Sequence, residues 1–172
     1  MTTLFPSDLV DAAKSVLADL QRHALLITTA ESCTGGLLCG LLTEVPGSSG
    51  MVECGFVTYS DAAKTAMLGV APDVIKRYGA VSQEVARAMA DGALSNSPAH
   101  IAVSVTGIAG PDGGSPEKPI GLVYVGVAAK GAATRTFECR FGDIGRREVR
   151  LASVREALRL VQDIMKRGLR HD

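Results

Sequence analysis

The chain has no tryptophan, only 4% aromatic residues, and no excess of either charge, with 18 Lys+Arg against 18 Asp+Glu over 172 residues. Scarce aromatics exclude the stacking platforms that hold single-stranded nucleic acid, and balanced charge argues against a surface built to bind duplex DNA. No direct contact with nucleic acid is therefore expected. Apolar runs such as Ala24–Ile27 and Leu41-Leu42 fall far short of a bilayer span, so no membrane association is expected. Met1 to Pro6 lacks the basic start and apolar stretch of a signal peptide, which predicts a cytoplasmic location. Cys33, Cys39, Cys54 and Cys139 form no C-x-x-C pair and no Cys/His ligand spacing, so neither a metal site nor a redox motif is indicated. Four reduced thiols packed as small apolar groups are the simplest reading.

What is present is 47% hydrophobic residues in a length close to one typical domain, so residues 1–172 are expected to form a single unit. Leu9, Ala13, Val16, Leu17 and Leu20 recur at helical spacing, with Ser7 as the expected N-cap. Ala24–Thr29 reads as a buried strand, Leu37–Val45 as a helix, Met51–Ser60 as a strand and Asp61–Leu68 as a short helix. Pro72–Tyr78 and a segment from Ser82 to Leu94 read as helices, and Ile101–Val105 as a strand. Gly121–Ala129 and Thr134–Phe141 form a hairpin across Lys130-Gly131, before a last helix from Gly145 to Lys166. Strand–helix alternation followed by a hairpin predicts a three-layer α/β/α sandwich around a mixed, mostly parallel sheet.

Three stretches could carry chemistry. In Thr28-Thr-Ala-Glu-Ser-Cys-Thr-Gly-Gly36 a strand passes through a polar turn into a helix. Backbone N–H groups and the positive end of the helix dipole converge there, suited to an anion or a developing oxyanion. Ser32 at the apex is a candidate nucleophile; the simpler alternative is that Ser32 or Thr34 caps the helix. The flanking residues are not those of a G-x-S-x-G elbow, and no G-K-[ST] follows to make a phosphate loop. His23, His100 and His171 stand in no motif, which leaves a serine without an obvious imidazole base.

The second stretch, Phe56 to Lys64, offers a substitute. It places Lys64 near the start of a helix among Ala62, Ala63 and Ala66. Partial burial and the helix dipole both lower a lysine pKa. At a reference value of about 10.4 only roughly one lysine in 2,500 is neutral at pH 7, whereas a shift to about 8 makes about a tenth of it a base. Tyr59 could hydrogen-bond that amine or the serine. The alternative is a solvated lysine and a half-buried tyrosine.

The third stretch, Ser104 to Pro119, is a long Gly/Pro-rich loop leaving a strand. It reads either as a binding loop, with Thr106 and Gly107 at the strand's carboxyl end, or as a plain connection. Arg146, Arg147 and Arg150 crowd the start of the last helix, where the dipole disfavours cations. Either Asp143 and Glu148 compensate them or an anionic ligand does.

Taken together, Thr29-Ala-Glu-Ser-Cys-Thr-Gly-Gly36, Gly55-Phe-Val-Thr-Tyr-Ser60 with Lys64, Gly79-Ala-Val-Ser82 and Gly107-Ile-Ala-Gly-Pro-Asp-Gly-Gly114 resemble the CinA C-terminal domain family, whose stand-alone form is a bacterial nicotinamide-nucleotide amidase. The resemblance runs from about Leu9 to Val161. It implies hydrolysis of nicotinamide mononucleotide to nicotinic acid mononucleotide and ammonia, in pyridine-nucleotide salvage, with neither metal nor cofactor. It places the family's serine on Ser32, its lysine on Lys64 and its tyrosine on Tyr59. The oxyanion would rest on amides from Cys33, Thr34, Gly35 and Gly36, with Thr106, Gly107 and Arg150 holding ribose and phosphate. A dimer or higher homo-oligomer is implied too. Longer members carry an N-terminal domain for which this chain has no room. Three rival readings remain at this point: a nucleotide-binding module without catalysis, a thiol enzyme using Cys33, and a partner protein in competence or DNA damage.

Overall fold

The computed structural model describes residues 4–168. The elements in chain order are α1 (Ser7–Arg22), β1 (Ile27–Glu31), α2 (Leu37–Thr43), β2 (Val52–Val57), α3 (Asp61–Leu68), α4 (Pro72–Tyr78), α5 (Gln83–Ser95), β3 (Ile101–Gly107), β4 (Leu122–Ala129), β5 (Arg135–Arg140) and α6 (Arg146–Gly168), with a single 3-10 turn at Ser48–Gly50 before β2. The strands form one sheet in the order β2-β1-β3-β4-β5. β1 pairs in parallel with both β2 and β3, whereas β3–β4 and β4–β5 are antiparallel. The expected mixed α/β sheet is present, and four of its five strands point the same way.

The two faces of the sheet differ in residue size. Ile27, Ile101, Val103, Val105, Val123, Val125 and Val127 face α1, α2 and α6 in the larger core. Ala30, Ala102 and Ala128 face α5 in the smaller one. Small residues let α5 approach closely: a Cβ built on Gly126 would lie 2.6 Å from both the Ala86 carbonyl and Ser104 Oγ. Ser104 Oγ in turn donates to that same carbonyl, satisfying a polar atom at the contact.

Helix starts follow their caps. Ser60 Oγ accepts from the Ala63 amide and Ser82 Oγ from the Val85 amide. Ser7 is not a cap: Pro6 occupies that position and Ser7 is already helical, consistent with proline's fixed φ at a helix start. His171 lies outside the described residues. Of the other histidines, His100 Nδ1 accepts from the Leu26 amide at 3.0 Å, a structural bond. Among the described residues no helix is long and apolar enough to cross a membrane.

Because β1 pairs with β2 on one side and β3 on the other, the chain leaves β1 and β3 in opposite directions at their carboxyl ends. Crevices of α/β sheets open at such switch points. Ser32, Thr58 and Thr106 follow or end β1, β2 and β3 there, cross-linked by hydrogen bonds from the Ser32 amide to the Val105 carbonyl and from the Thr58 amide to the Glu31 carbonyl.

Candidate active site

Lys64 is the largest of the fully buried side chains, only 1% exposed. Its Nζ lies 3.2 Å from Ser32 Oγ, 3.2 Å from the Thr58 carbonyl oxygen and 3.5 Å from that of Tyr59. Nζ donates to the Ser32 hydroxyl oxygen and to the two carbonyls; on losing a proton it keeps two N–H groups for the carbonyls and a lone pair for the Ser32 O–H. Burial pushes the Lys64 pKa below its ordinary value of 10.5, while the Asp61 carboxylate, 3.7 Å away, pulls it back up. A buried amine in contact with a serine hydroxyl can serve as a general base, and the hydroxyl as a nucleophile.

These two residues line a cavity of about 260 Å³ with Cys33, Tyr59, Asp61, Ala80, Val81, Thr106, Gly107, the loop segment around Ile108–Gly113, and Arg146. A larger open groove of about 750 Å³ runs alongside, between residues 111–122 and the end of β5. It shares Asp112 and Gly113 with the smaller cavity but contains no nucleophile–base pair. The site therefore sits in the smaller one. Thr106 Oγ1 donates to the Ala80 carbonyl, fixing one wall, and Lys118 Nζ donates to the carbonyls of Tyr78 and Val81, tying the long loop to the α4–α5 link.

The turn after β1 departs from expectation. Its anion is internal: the fully buried Glu31 carboxylate accepts from the amides of Gly36, Leu38 and Cys39 and from the Thr29 hydroxyl. Neither Ser32 nor Thr34 caps α2; Glu31 does that work from the strand, and Gly36 holds the N-cap position at φ 94°. The Gly35 amide donates to the Ser32 carbonyl. Of the four amides expected to face an oxyanion, Gly35 and Gly36 are thus engaged, while those of Cys33 and Thr34 make no hydrogen bond to another of the described residues.

Two further expectations change with the geometry. Arg150 does not line the cavity; it donates from Nε to the Cys33 carbonyl and from Nη2 to the Thr34 carbonyl, bracing the turn from behind. Arg146 is the arginine at the cavity, donating to the Gly110 carbonyl at 2.8 Å and to the Tyr59 hydroxyl at 3.0 Å. Arg147 pairs with Glu148 instead. Tyr59 is 62% exposed, and its hydrogen bond with Lys64 is made by its backbone carbonyl. Cys33 is buried, which pushes its thiol pKa up to about 12, the reverse of an activated cysteine. Among the described residues no three His, Cys, Asp or Glu side chains converge as metal ligands.

A family model for the CinA C-terminal domain matches residues 10–165. The chain belongs to that family. Curated relatives include a CinA-like protein of Akkermansia muciniphila, 57% identical over 123 residues that make up 72% of this chain and 30% of the relative. The chain spans about 30% of the length of the first such relatives. By contrast, a protein of Enterobacter agglomerans named nicotinamide-nucleotide amidohydrolase PncC is 50% identical over 78% of this chain and 81% of its own. Among solved structures, the competence/damage inducible protein CihA of Agrobacterium tumefaciens superposes with a TM-score of 0.93 at 50% identity, over 95% of this chain and 99% of that one. A CinA superfamily protein of Escherichia coli gives 0.87 at 33% identity, over 95% and 94%.

Proposed function

We propose that the protein is a nicotinamide-nucleotide amidohydrolase that converts nicotinamide mononucleotide and water to nicotinic acid mononucleotide and ammonia through an acyl-enzyme on Ser32. The observation that carries this reading is the buried Lys64 amine 3.2 Å from Ser32 Oγ. The name of the Enterobacter relative, 50% identical over 81% of its length, supports the substrate class.

In this reading neutral Lys64 takes the Ser32 proton as Oγ attacks the carboxamide carbon. The amides of Cys33 and Thr34 receive the developing oxyanion, in a turn held by Glu31 and Arg150. The Lys64 ammonium, stabilised by Asp61, returns its proton to the departing nitrogen, which leaves as ammonia. Water then attacks the acyl carbon, giving a proton to Lys64 and releasing the carboxylate as Ser32 recovers its own. Arg146, the arginine in the cavity lining, meets the phosphate in this reading, and Thr106 and Gly107 form part of the wall.

The test is ammonia release from nicotinamide mononucleotide, with chelator present, by the parent protein, Ser32→Ala and Lys64→Ala. Turnover by the parent and a loss of about 10³-fold or more in both variants is the expected result. Turnover that survives Ser32→Ala would sink the serine mechanism. Nucleotide binding by a parent protein without turnover would make the protein a binding module.

A further inference from the structure

The cavity's charges are ordered in space. Asp61, Lys64, Asp112 and Arg146 are its acidic and basic lining residues. Asp61 stands in the first turn of α3 with its side chain about 60% exposed, and its carboxylate lies 3.7 Å from Lys64 Nζ, itself 3.2 Å from Ser32 Oγ. Helix α3 does not need Asp61 as its cap, because Ser60 fills that role. The separation from Lys64 is longer than a direct hydrogen bond, so the carboxylate keeps free lone pairs. When Lys64 is neutral, as a general base must be, Asp61 keeps the favourable dipole at the start of α3 but loses its ion-pair partner. The positive charge lies elsewhere: Arg146 is solvent-exposed and bound to the Gly110 carbonyl and the Tyr59 hydroxyl. The site thus presents a negative charge at the reacting end and a positive one at its rim.

We propose that Asp61 is a specificity-determining residue that selects a fixed positive charge, a quaternised pyridine ring, in the substrate beside the carboxamide. The inference rests on the function proposed above and deepens its substrate class. In a pyridine-3-carboxamide nucleotide the glycosidic bond quaternises the ring nitrogen, two ring bonds from the carbon carrying the carboxamide. The phosphate lies at the opposite end. That order of charges, cation near the amide and anion far from it, is the complement of Asp61 and Arg146. A neutral ring of the same shape forgoes the attraction.

The experiment compares two ligands that differ in ring charge, nicotinamide mononucleotide and its reduced dihydropyridine form. Both are titrated by calorimetry into Ser32→Ala protein, which holds them without turnover, and into Ser32→Ala/Asp61→Asn. The first protein is expected to prefer the cationic ring by about three- to tenfold, and the second to bind the two nearly equally. The sign is diagnostic. Losing Asp61 also disfavours the Lys64 ammonium, which by itself would strengthen binding of a cation, so the lysine cannot produce the loss. Asp61→Glu should restore the preference. On the Ser32→Ala protein alone, raising the salt to about 0.5 M should shrink it, a readout that does not depend on the Asp61 variant folding. Equal preference in both proteins, with both ligands bound, would overturn the charge selection and leave the amidohydrolase reading intact. Failure of either nucleotide to bind, together with no ammonia released by the parent protein, would overturn both.

Discussion

At the scale of single residues, Glu31 and Cys33 flank the nucleophile and divide the work of the turn. Glu31 holds three amides and one hydroxyl at zero exposure. Replacing it with glutamine sets an amide N–H against backbone donors, so Glu31→Gln should destabilise the fold by about 2–4 kcal/mol, read from denaturant midpoints, and lower turnover with it. Cys33 makes the opposite prediction. A thiol held near pKa 12 is protonated at neutral pH, so Cys33→Ala should keep turnover within a few-fold, and alkylating reagents at pH 7 should leave Cys33 unlabelled. Both residues stand in the motif read from the sequence, where Ser32 is the candidate nucleophile and no role is read for the Glu31 carboxylate. Glu31 ends a strand whose five residues are all buried, and a buried carboxylate requires internal donors. That burial follows from the sheet pairing, which no single segment displays. The two arginines show the same gap. Arg146 and Arg150 are one turn apart on α6, and only the docking of that helix decides that one reaches the cavity and the other the back of the turn.

At the scale of elements, α5 lies against a sheet face made of alanine, serine and glycine, and the closeness of that contact sets the walls of the cavity. Gly126→Ala would push a methyl group to 2.6 Å from the Ala86 carbonyl, a backbone atom that cannot swing aside. A destabilisation of about 1–3 kcal/mol is expected, measured by thermal melting, with lower turnover because α5 follows the Ala80-Val81 wall. Helices α3 and α4 begin and end where hydrophobic periodicity and turn residues place them, since Ser60 and Ala71-Pro72 are local start signals. β1 runs on to Glu31 and β3 to Gly107, each two residues beyond the expected ends. Their final residues are polar or glycine, and only a neighbouring strand supplies the hydrogen bonds that keep them extended.

At the scale of the whole molecule, Lys64 links function to stability. Its folded-state pKa is lowered from 10.5. Above 10.5 the folded and unfolded chains both carry a neutral amine. As pH falls below 10.5 the unfolded chain binds a proton that the folded chain resists, so stability drops until pH passes the folded-state value. Lys64→Met should therefore abolish ammonia release yet stabilise the fold at pH 7 by about 1–2 kcal/mol, a gain that shrinks as pH approaches 10.5. Turnover by the parent protein should show an acid limb where Lys64 gains its proton, and Asp61→Asn should move that limb to lower pH by removing the carboxylate that favours the ammonium. Stability at neutral pH unchanged or reduced in Lys64→Met would count against a strained, buried amine.

The sequence alone determined what depends on neighbours along the chain: the periodic faces of the helices, the β-branched runs of the strands, the turn at Lys130-Gly131, and the polar turn that carries Ser32. It also brought Lys64 to the start of a helix. Tertiary structure alone decided what depends on residues far apart in the chain. Pairing β1 with both β2 and β3 carried Lys64 to Ser32, thirty-two positions away, and buried it. The same pairing enclosed Glu31, turned a potential anion site into an internal cap, and left the Cys33 and Thr34 amides free. Desolvation and distance, the two quantities that make an amine a base, are properties of packing, and a linear spacing cannot specify either.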